Sequence, residues 1–213
     1  MIFKEINSLF IHIPKCAGST VSTRIGFCLY GKDWDRIRKK RDNFNGQWAQ
    51  HWSYNEISKK VPSEKLAGMF KFCFVRNPWD RAVSEFLYVK SAGCSCAKAK
   101  VSSLTFSEFV ERKFLCSFGR HRWPQKHFIV NSEGEVAVDK IFKVENFEED
   151  FLFLVDKFKL KDDGVLKKSF NQTRDASQKI KKPYWEYYDA KTKLLIDLMF
   201  VDDISFFDYT YGD

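Results

Sequence analysis

Three stretches of the sequence carry side chains suited to chemistry on an anion. The first is Pro14-Lys15-Cys16-Ala17-Gly18-Ser19-Thr20, a small-residue turn that follows the apolar run Leu9 to Ile13. A helix opening there would present N–H groups without intrahelical partners and the positive end of its dipole. Gly18 lets backbone approach a ligand closely, Ser19 and Thr20 add hydroxyl donors, and Lys15 adds a mobile cation. The order differs from a Walker A loop, where Lys directly follows Gly and precedes Ser or Thr. Here Lys15 stands ahead of Gly18, and no partner for Mg²⁺ follows.

The second stretch is Arg76-Asn77-Pro78, directly after the apolar run Phe70 to Val75. Asn77 suits an N-cap, Pro78 the first helical position and Asp80 the first turn. Arg76 then leaves a strand at a helix N-terminus, with Ser84 two turns into that helix. Surface ion pairing is the competing reading for Arg76 and Arg81; the RNPWDR context disfavours it for Arg76 and leaves Arg81 open. The third is His51, one of four histidines. Imidazole is the side chain whose ordinary pKa suits proton transfer near neutrality. Ser53 with Glu56 forms a capping box, and Trp52 with Ile57 has hydrophobic-staple spacing, so His51 lies on the loop entering a helix. Packing beside Trp48 and Trp52 is its alternative role. His12, inside a strand, is expected as a hydrogen-bonded core residue, and His121 and His127, beside Arg120, Arg122 and Lys126, as surface residues, with contact to an anionic acceptor as their other reading.

The elements that must position these groups alternate between strand and helix. After the first turn, Val21, Ile25, Cys28 and Leu29 recur at helical spacing. Ala82, Val83, Phe86 and Leu87 form the buried stripe of the second helix. Thr105 with Glu108 opens another capped helix that points Phe106, Phe109, Val110 and Phe114 inward. Phe128 to Val138, with Ser132-Glu133-Gly134 at its centre, has the pattern of a hairpin, and Ile141 to Val144 that of a strand. Asn146 with Glu149 caps a helix carrying Phe147, Phe151, Leu154, Val155 and Phe158. A last helix is expected from Tyr184 to Phe200, and Ile204 to Tyr211 closes the domain. Ser91 to Ser103 reads as a surface insertion, Arg36 to Arg41 as a charged face, and Ser169 to Lys182 as a mobile loop. The alternation predicts one α/β domain over 1–213 with a mainly parallel sheet covered on both faces.

Composition narrows the partners. With 44% hydrophobic residues and 22 Phe in 213, the chain can bury a core. A net charge of +8 and a pI near 9.1 favour anionic partners without choosing among them. No basic leader precedes a long apolar run and no stretch approaches a membrane span, so a cytoplasmic protein is expected. Six cysteines read as reduced thiols; Cys94 and Cys96 lack the second pair or histidine that zinc needs.

FIHIPKCAGST resembles the 5′-phosphosulfate loop, and FKFCFVRNPWDRAVSEF the 3′-phosphate loop, of sulfotransferases that use PAPS, 3′-phosphoadenosine 5′-phosphosulfate. Similarity continues in family order through QHWSYNEI, PQKHFIV, ENFEED, WEYYD and DISFFDY. The branch it resembles acts mainly on carbohydrates and includes Golgi glycan sulfotransferases and smaller bacterial relatives, and a small soluble bacterial-type member is expected. The resemblance implies a P-loop-NTPase-like three-layer α/β fold, a mainly parallel central sheet flanked by helices, and no metal. It implies PAPS as donor, its 3′,5′-bisphosphate (PAP) as product and a hydroxyl acceptor, expected on a glycan, with no nucleic acid as partner. Pro14 to Thr20, with Lys15, Gly18, Ser19 and Thr20 foremost, would hold the 5′-phosphate and sulfonate, and Arg76 and Ser84 the 3′-phosphate. His51 would be the base, and Lys15 would also neutralise the leaving oxygen. Trp52, Trp123 and Arg174 are candidate acceptor contacts; core packing is the other reading for the tryptophans, and an exposed basic loop for Arg174. Cys16 stands where the family usually has Thr, and a thiol at a helix N-terminus is expected to ionise more readily. A nucleotide kinase or NTPase, and an inactive anion- or glycan-binding module, are the rival functions.

Overall fold

Long-range packing turns the apolar runs into a single sheet. The computed structural model describes residues 1–35, 37, 43–44, 47–92, 103–112, 119–161 and 182–212. Arg174, Phe114, Cys94, Cys96, nearly all of the Arg36–Arg41 cluster, positions 93–102 of the expected insertion and the expected loop up to position 181 lie outside these residues. The described residues form two compact units, Met1–Val75 with His127–Asn171, and Arg76–Lys126 with Gln172–Asp213.

The first unit holds the sheet. Strands β1 (Ile2–Phe3), β2 (Ser8–Ile11), β5 (Phe70–Val75) and β6 (Lys140–Lys143) lie in the order β1-β2-β5-β6. A separate two-stranded ribbon joins β3 (Asn43–Phe44) to β4 (Gln47–Trp48). β1 runs antiparallel to β2, pairing Ile2 with Leu9. The other contacts are parallel, with Phe10 opposite Phe72 and Phe74 opposite Phe142. All four residues of β2 and the last four of β5 are buried, the mark of strands covered on both faces. Phenylalanines line the sheet: Phe10 lies 5.1 Å from its cross-strand partner Phe72 and Phe74 5.1 Å from Phe142, while Phe158 packs on Phe70 at 5.7 Å. The expected mixed α/β fold with a mainly parallel sheet is what forms.

Helix α1 (Gly18–Tyr30) follows β2 and buries Val21, Arg24 and Ile25. Cys28 and Leu29 are only half-buried, and Gly26 lies against the buried Trp34. Arg24 is buried and forks onto Glu148 at 2.8 and 2.9 Å, which ties α1 to the start of the helix Phe147–Phe158. That helix begins where expected but without the expected cap. Asn146 ends a 3₁₀ turn at φ −107°, ψ 28° and makes no side-chain cap hydrogen bond, since its backbone is not in the extended conformation capping requires. Asp150 instead accepts the Lys143 N–H at 2.9 Å.

The expected hairpin over Phe128–Val138 forms only as a short antiparallel turn, because its first residues are helical. Lys126–Ile129 is a helical turn, and a single bridge joins Val130 to Val136. The Asn131 side chain accepts N–H groups of Glu133 and Glu135, and backbone bonds from the Asn131 N–H to the Glu135 carbonyl and from the Ala137 N–H to the Ile129 carbonyl flank the bridge.

In the second unit the helix Pro78–Ala92 is capped as expected, with Asn77 Oδ1 accepting the N–H groups of Trp79 and Asp80 at 3.0 and 3.3 Å. Phe86 packs against Phe106 and Phe109 of the helix Phe106–Glu111, whose Thr105–Glu108 capping box is also formed. The terminal helix starts later than expected. Tyr184–Tyr187 is a 3₁₀ turn and the α-helix is Ala190–Met199, capped by Asp189 through the Thr192 N–H at 2.7 Å. Tyr188 is thereby free of the helix, and its hydroxyl donates to the Trp79 carbonyl at 2.8 Å.

The packing of Gly26 generates a prediction. A Cβ there would lie 2.1 Å from Cδ2 of the fully buried Trp34. Gly26→Ala is therefore expected to lose about 1–3 kcal/mol, the usual cost of overpacking, measured as a lower urea midpoint at unchanged slope.

Candidate active site

The first candidate loop leaves the carboxyl end of β2, the usual place for ligand sites in open α/β sheets. Ile13 and Pro14 are buried, Lys15 half-buried, and the Cys16 N–H donates to the Ile13 carbonyl at 3.4 Å. Lys15 and Ala17 are left-handed, at φ 66° and 55°, a conformation that costs a non-glycine residue about 1–2 kcal/mol. Such turns aim successive N–H groups inward and form anion-binding concavities. The first intrahelical bond of α1 runs from the Val21 N–H to the Ala17 carbonyl at 3.0 Å. The first-turn N–H groups of Gly18 and Ser19 therefore precede the helical ladder, as the sequence implied.

Gly18 has a reason that the sequence did not show. It is not at positive φ; a Cβ on it would sit 2.0 Å from Cδ2 and 2.1 Å from Nε2 of His12. The left-handed positions fall on its non-glycine neighbours instead, and no sequence signal marks them.

His51 sits on the loop entering the short helix Tyr54–Ser58. Ser53 Oγ accepts the Glu56 N–H, and Glu56 returns to the Ser53 N–H at 2.9 Å, which forms the predicted capping box. His51 Nδ1 lies 2.9 Å from the His12 carbonyl. A carbonyl only accepts, so this bond puts a proton on Nδ1, and the neutral form of the ring would carry its lone pair on Nε2. Lys15, Gly18, Ser19, Thr20 and His51 thus all belong to the first unit. His12 is a buried, hydrogen-bonded residue, as expected, yet it also touches this site. Trp52 is 8% exposed, the burial expected of a packing residue.

The second candidate loop stands by itself in the other unit. Arg76 pairs with Asp80, its Nε donating at 2.7 Å. Its backbone is clamped by Gln125, whose amide accepts the Arg76 N–H and donates to the Arg76 carbonyl, both at 2.8 Å. Asp203 in turn accepts the N–H groups of Gln125 and Lys126 at 2.7 and 2.9 Å. Burial pushes the Asp203 carboxyl above its ordinary range, against the pull of Arg81 and these N–H donors. Ser84 is 6% exposed on its helix.

Arg81, left open by the sequence, is a structural residue. It is 3% exposed and donates to the carbonyls of His121 and Trp123 at 3.0–3.1 Å. His121 is not on the surface as expected. Its Nδ1 lies 2.8 Å from the buried Glu85 carboxylate; a carboxylate far off in sequence left no local signal. His127 is exposed, as expected. Trp123 is half-buried beneath Arg120 at 5.6 Å. Among the described residues no group of three or more His, Cys, Asp or Glu side chains has a metal-holding arrangement, and no helix is long and apolar enough to cross a membrane.

A sequence with this fold and these loops can be compared with known proteins. The sequence model of the Sulfotransferase family matches residues 1–210. The chain belongs to the sulfotransferase family. An uncharacterized protein of Archaeoglobus fulgidus is 32% identical over 107 residues, which cover 49% of this chain and 79% of that protein. No solved structure matches at a significant level.

The surroundings of Cys16 change one expectation. The residue is 1% exposed, and its thiol donates to the Pro14 carbonyl at 3.5 Å. In the native protein Cys16 is expected to resist iodoacetamide while half-buried Cys28 labels, read by peptide mass spectrometry. Fast labelling of Cys16 would restore the activated thiol.

Proposed function

We propose that this sulfotransferase moves a sulfonate from PAPS to an acceptor hydroxyl on a carbohydrate, with His51 as general base. The observation that carries the reading is the 2.9 Å bond between His51 Nδ1 and the His12 carbonyl. It puts a proton on Nδ1 and so makes Nε2 the nitrogen that would accept one from the acceptor, in the same unit as a loop suited to an anion. The left-handed Lys15 and Ala17 and the start of α1 fit a 5′-phosphosulfate. The match across residues 1–210 covers both units, which favours one catalytic domain.

PAPS would supply the sulfonate and depart as PAP. His51 Nε2 removes the acceptor proton as the acceptor oxygen bonds to sulfur, and Lys15 neutralises charge on the bridging oxygen as its bond to sulfur breaks. Pro14 to Thr20 hold the phosphosulfate through backbone N–H groups, hydroxyls and the Lys15 cation. Arg76 and Ser84 take the 3′-phosphate, Arg76 being pre-set by Asp80 and by the Gln125 clamp on its backbone. Trp123 is the more open of the two aromatic candidates for the acceptor.

The test is transfer of radiolabelled sulfonate from PAPS to a panel of oligosaccharides, lipids and small alcohols. Oligosaccharide labelling is the expected result. His51→Ala is expected to slow transfer roughly 10²–10⁴-fold with PAP affinity nearly intact, whereas Lys15→Ala weakens both. A near-normal rate in His51→Ala would remove the base assignment, and ATP turnover with Mg²⁺ but none with PAPS would replace the function with phosphoryl transfer.

A further inference from the structure

Histidine 12 has three contacts that a mere core residue would not need. It follows β2 directly, and all four residues of that strand are buried, so its backbone is a fixed point. Its carbonyl takes the His51 Nδ1 proton at 2.9 Å. Its ring meets the His51 ring edge to face, with centroids 4.7 Å apart and planes at 76°. The Cδ2–Nε2 edge of the same ring fills the space where a side chain on residue 18 would stand. Its remaining nitrogen is also engaged, since Gln50 Nε2 lies 3.4 Å from His12 Nδ1. An amide nitrogen only donates, so Nδ1 accepts and the His12 proton sits on Nε2.

We propose that His12 is a positioning residue that locks the base and the anion loop to one another. Its carbonyl and ring set the tautomer and tilt of His51, and its ring seats Gly18 at the start of α1. Gln50 holds the His12 ring in the flip that does both. This inference rests on His51 being the base. In-line displacement requires the acceptor oxygen and the departing oxygen to be held on opposite sides of sulfur, and misplacement by about 1 Å can cost on the order of 10²-fold. A single residue touching both the base and the loop supplies that common reference. Glycine at 18 is then required by the imidazole beneath it, not by a backbone conformation.

The experiment reads tautomers, and needs no turnover. The chain has four histidines, so ¹⁵N-imidazole spectra are assignable by single substitutions. The wild type is expected to carry the proton on Nδ1 of His51 and on Nε2 of His12. In His12→Ala, whose backbone carbonyl is retained, His51 is expected to shift to a mixture of tautomers; in His12→Phe, which keeps a ring against His51 and Gly18, it shifts less. Gly18→Ala alone is expected to lower the Tm sharply, and Gly18→Ala combined with His12→Ala to recover part of that loss, because the new methyl enters the vacated space. A proton on Nε2 of wild-type His51, or an unchanged His51 spectrum in folded His12→Ala, would overturn the proposal. So would a double variant no more stable than additive losses allow. If the wild type transferred no sulfonate, the functional reading would fall while these spectra still decided what His12 positions.

Discussion

Burial of β2 on both faces is the constraint from which the candidate active site follows. A strand with all four residues inside the protein cannot drift, so the chain leaves it in one direction. The next six residues must satisfy their backbone, turn sharply and start a helix. They do so with two left-handed residues, Lys15 and Ala17, whose unfavourable backbone is sustained by the packing around them. His12 stands at the first position of this exit. Its carbonyl points to His51 and its ring lies against Gly18, so His51 and the loop inherit the rigidity of the strand.

Segments that look remote from chemistry in the sequence act as struts. Gln125 of PQKHFIV and Asp203 of DISFFDY hold the backbone of Arg76 and the turn after Pro124. Glu148 of ENFEED receives buried Arg24, and Tyr188 and Asp189 of WEYYD reach Trp79 and cap the last long helix. Gln50 of QHWSYNEI lies next to His51 and meets His12. These residues shape the backbone from which the candidate site residues project. Their sequence similarity to the family therefore extends well beyond the two loops.

Local chemistry was legible wherever a few neighbouring residues were enough. Ser53 with Glu56, Thr105 with Glu108, and Asn77 ahead of Pro78 formed the caps their spacing implied. The same logic failed at Asn146, where a preceding 3₁₀ turn gives the residue the wrong backbone for capping. At Phe128–Val138 it gave the turn but not its length, since Lys126–Ile129 is helical and a single bridge joins Val130 to Val136. Arg81 and His121 were misjudged or left open because their partners lie some 36 to 122 residues away, beyond the reach of any local pattern.

By itself the sequence determined the apolar runs that become β2 and β5, the helix starts that follow them, and the resemblance in family order that identified Lys15, Gly18, His51, Arg76 and Ser84 as site candidates. Those properties depend on side-chain period, capping chemistry and motif order, all of which are written along the chain. The tertiary structure alone decided which nitrogen of His51 holds the proton, why residue 18 is glycine, and that Arg81 is a buried strut. Each of these depends on a group distant in sequence occupying a particular few cubic ångströms, and only folding brings it there.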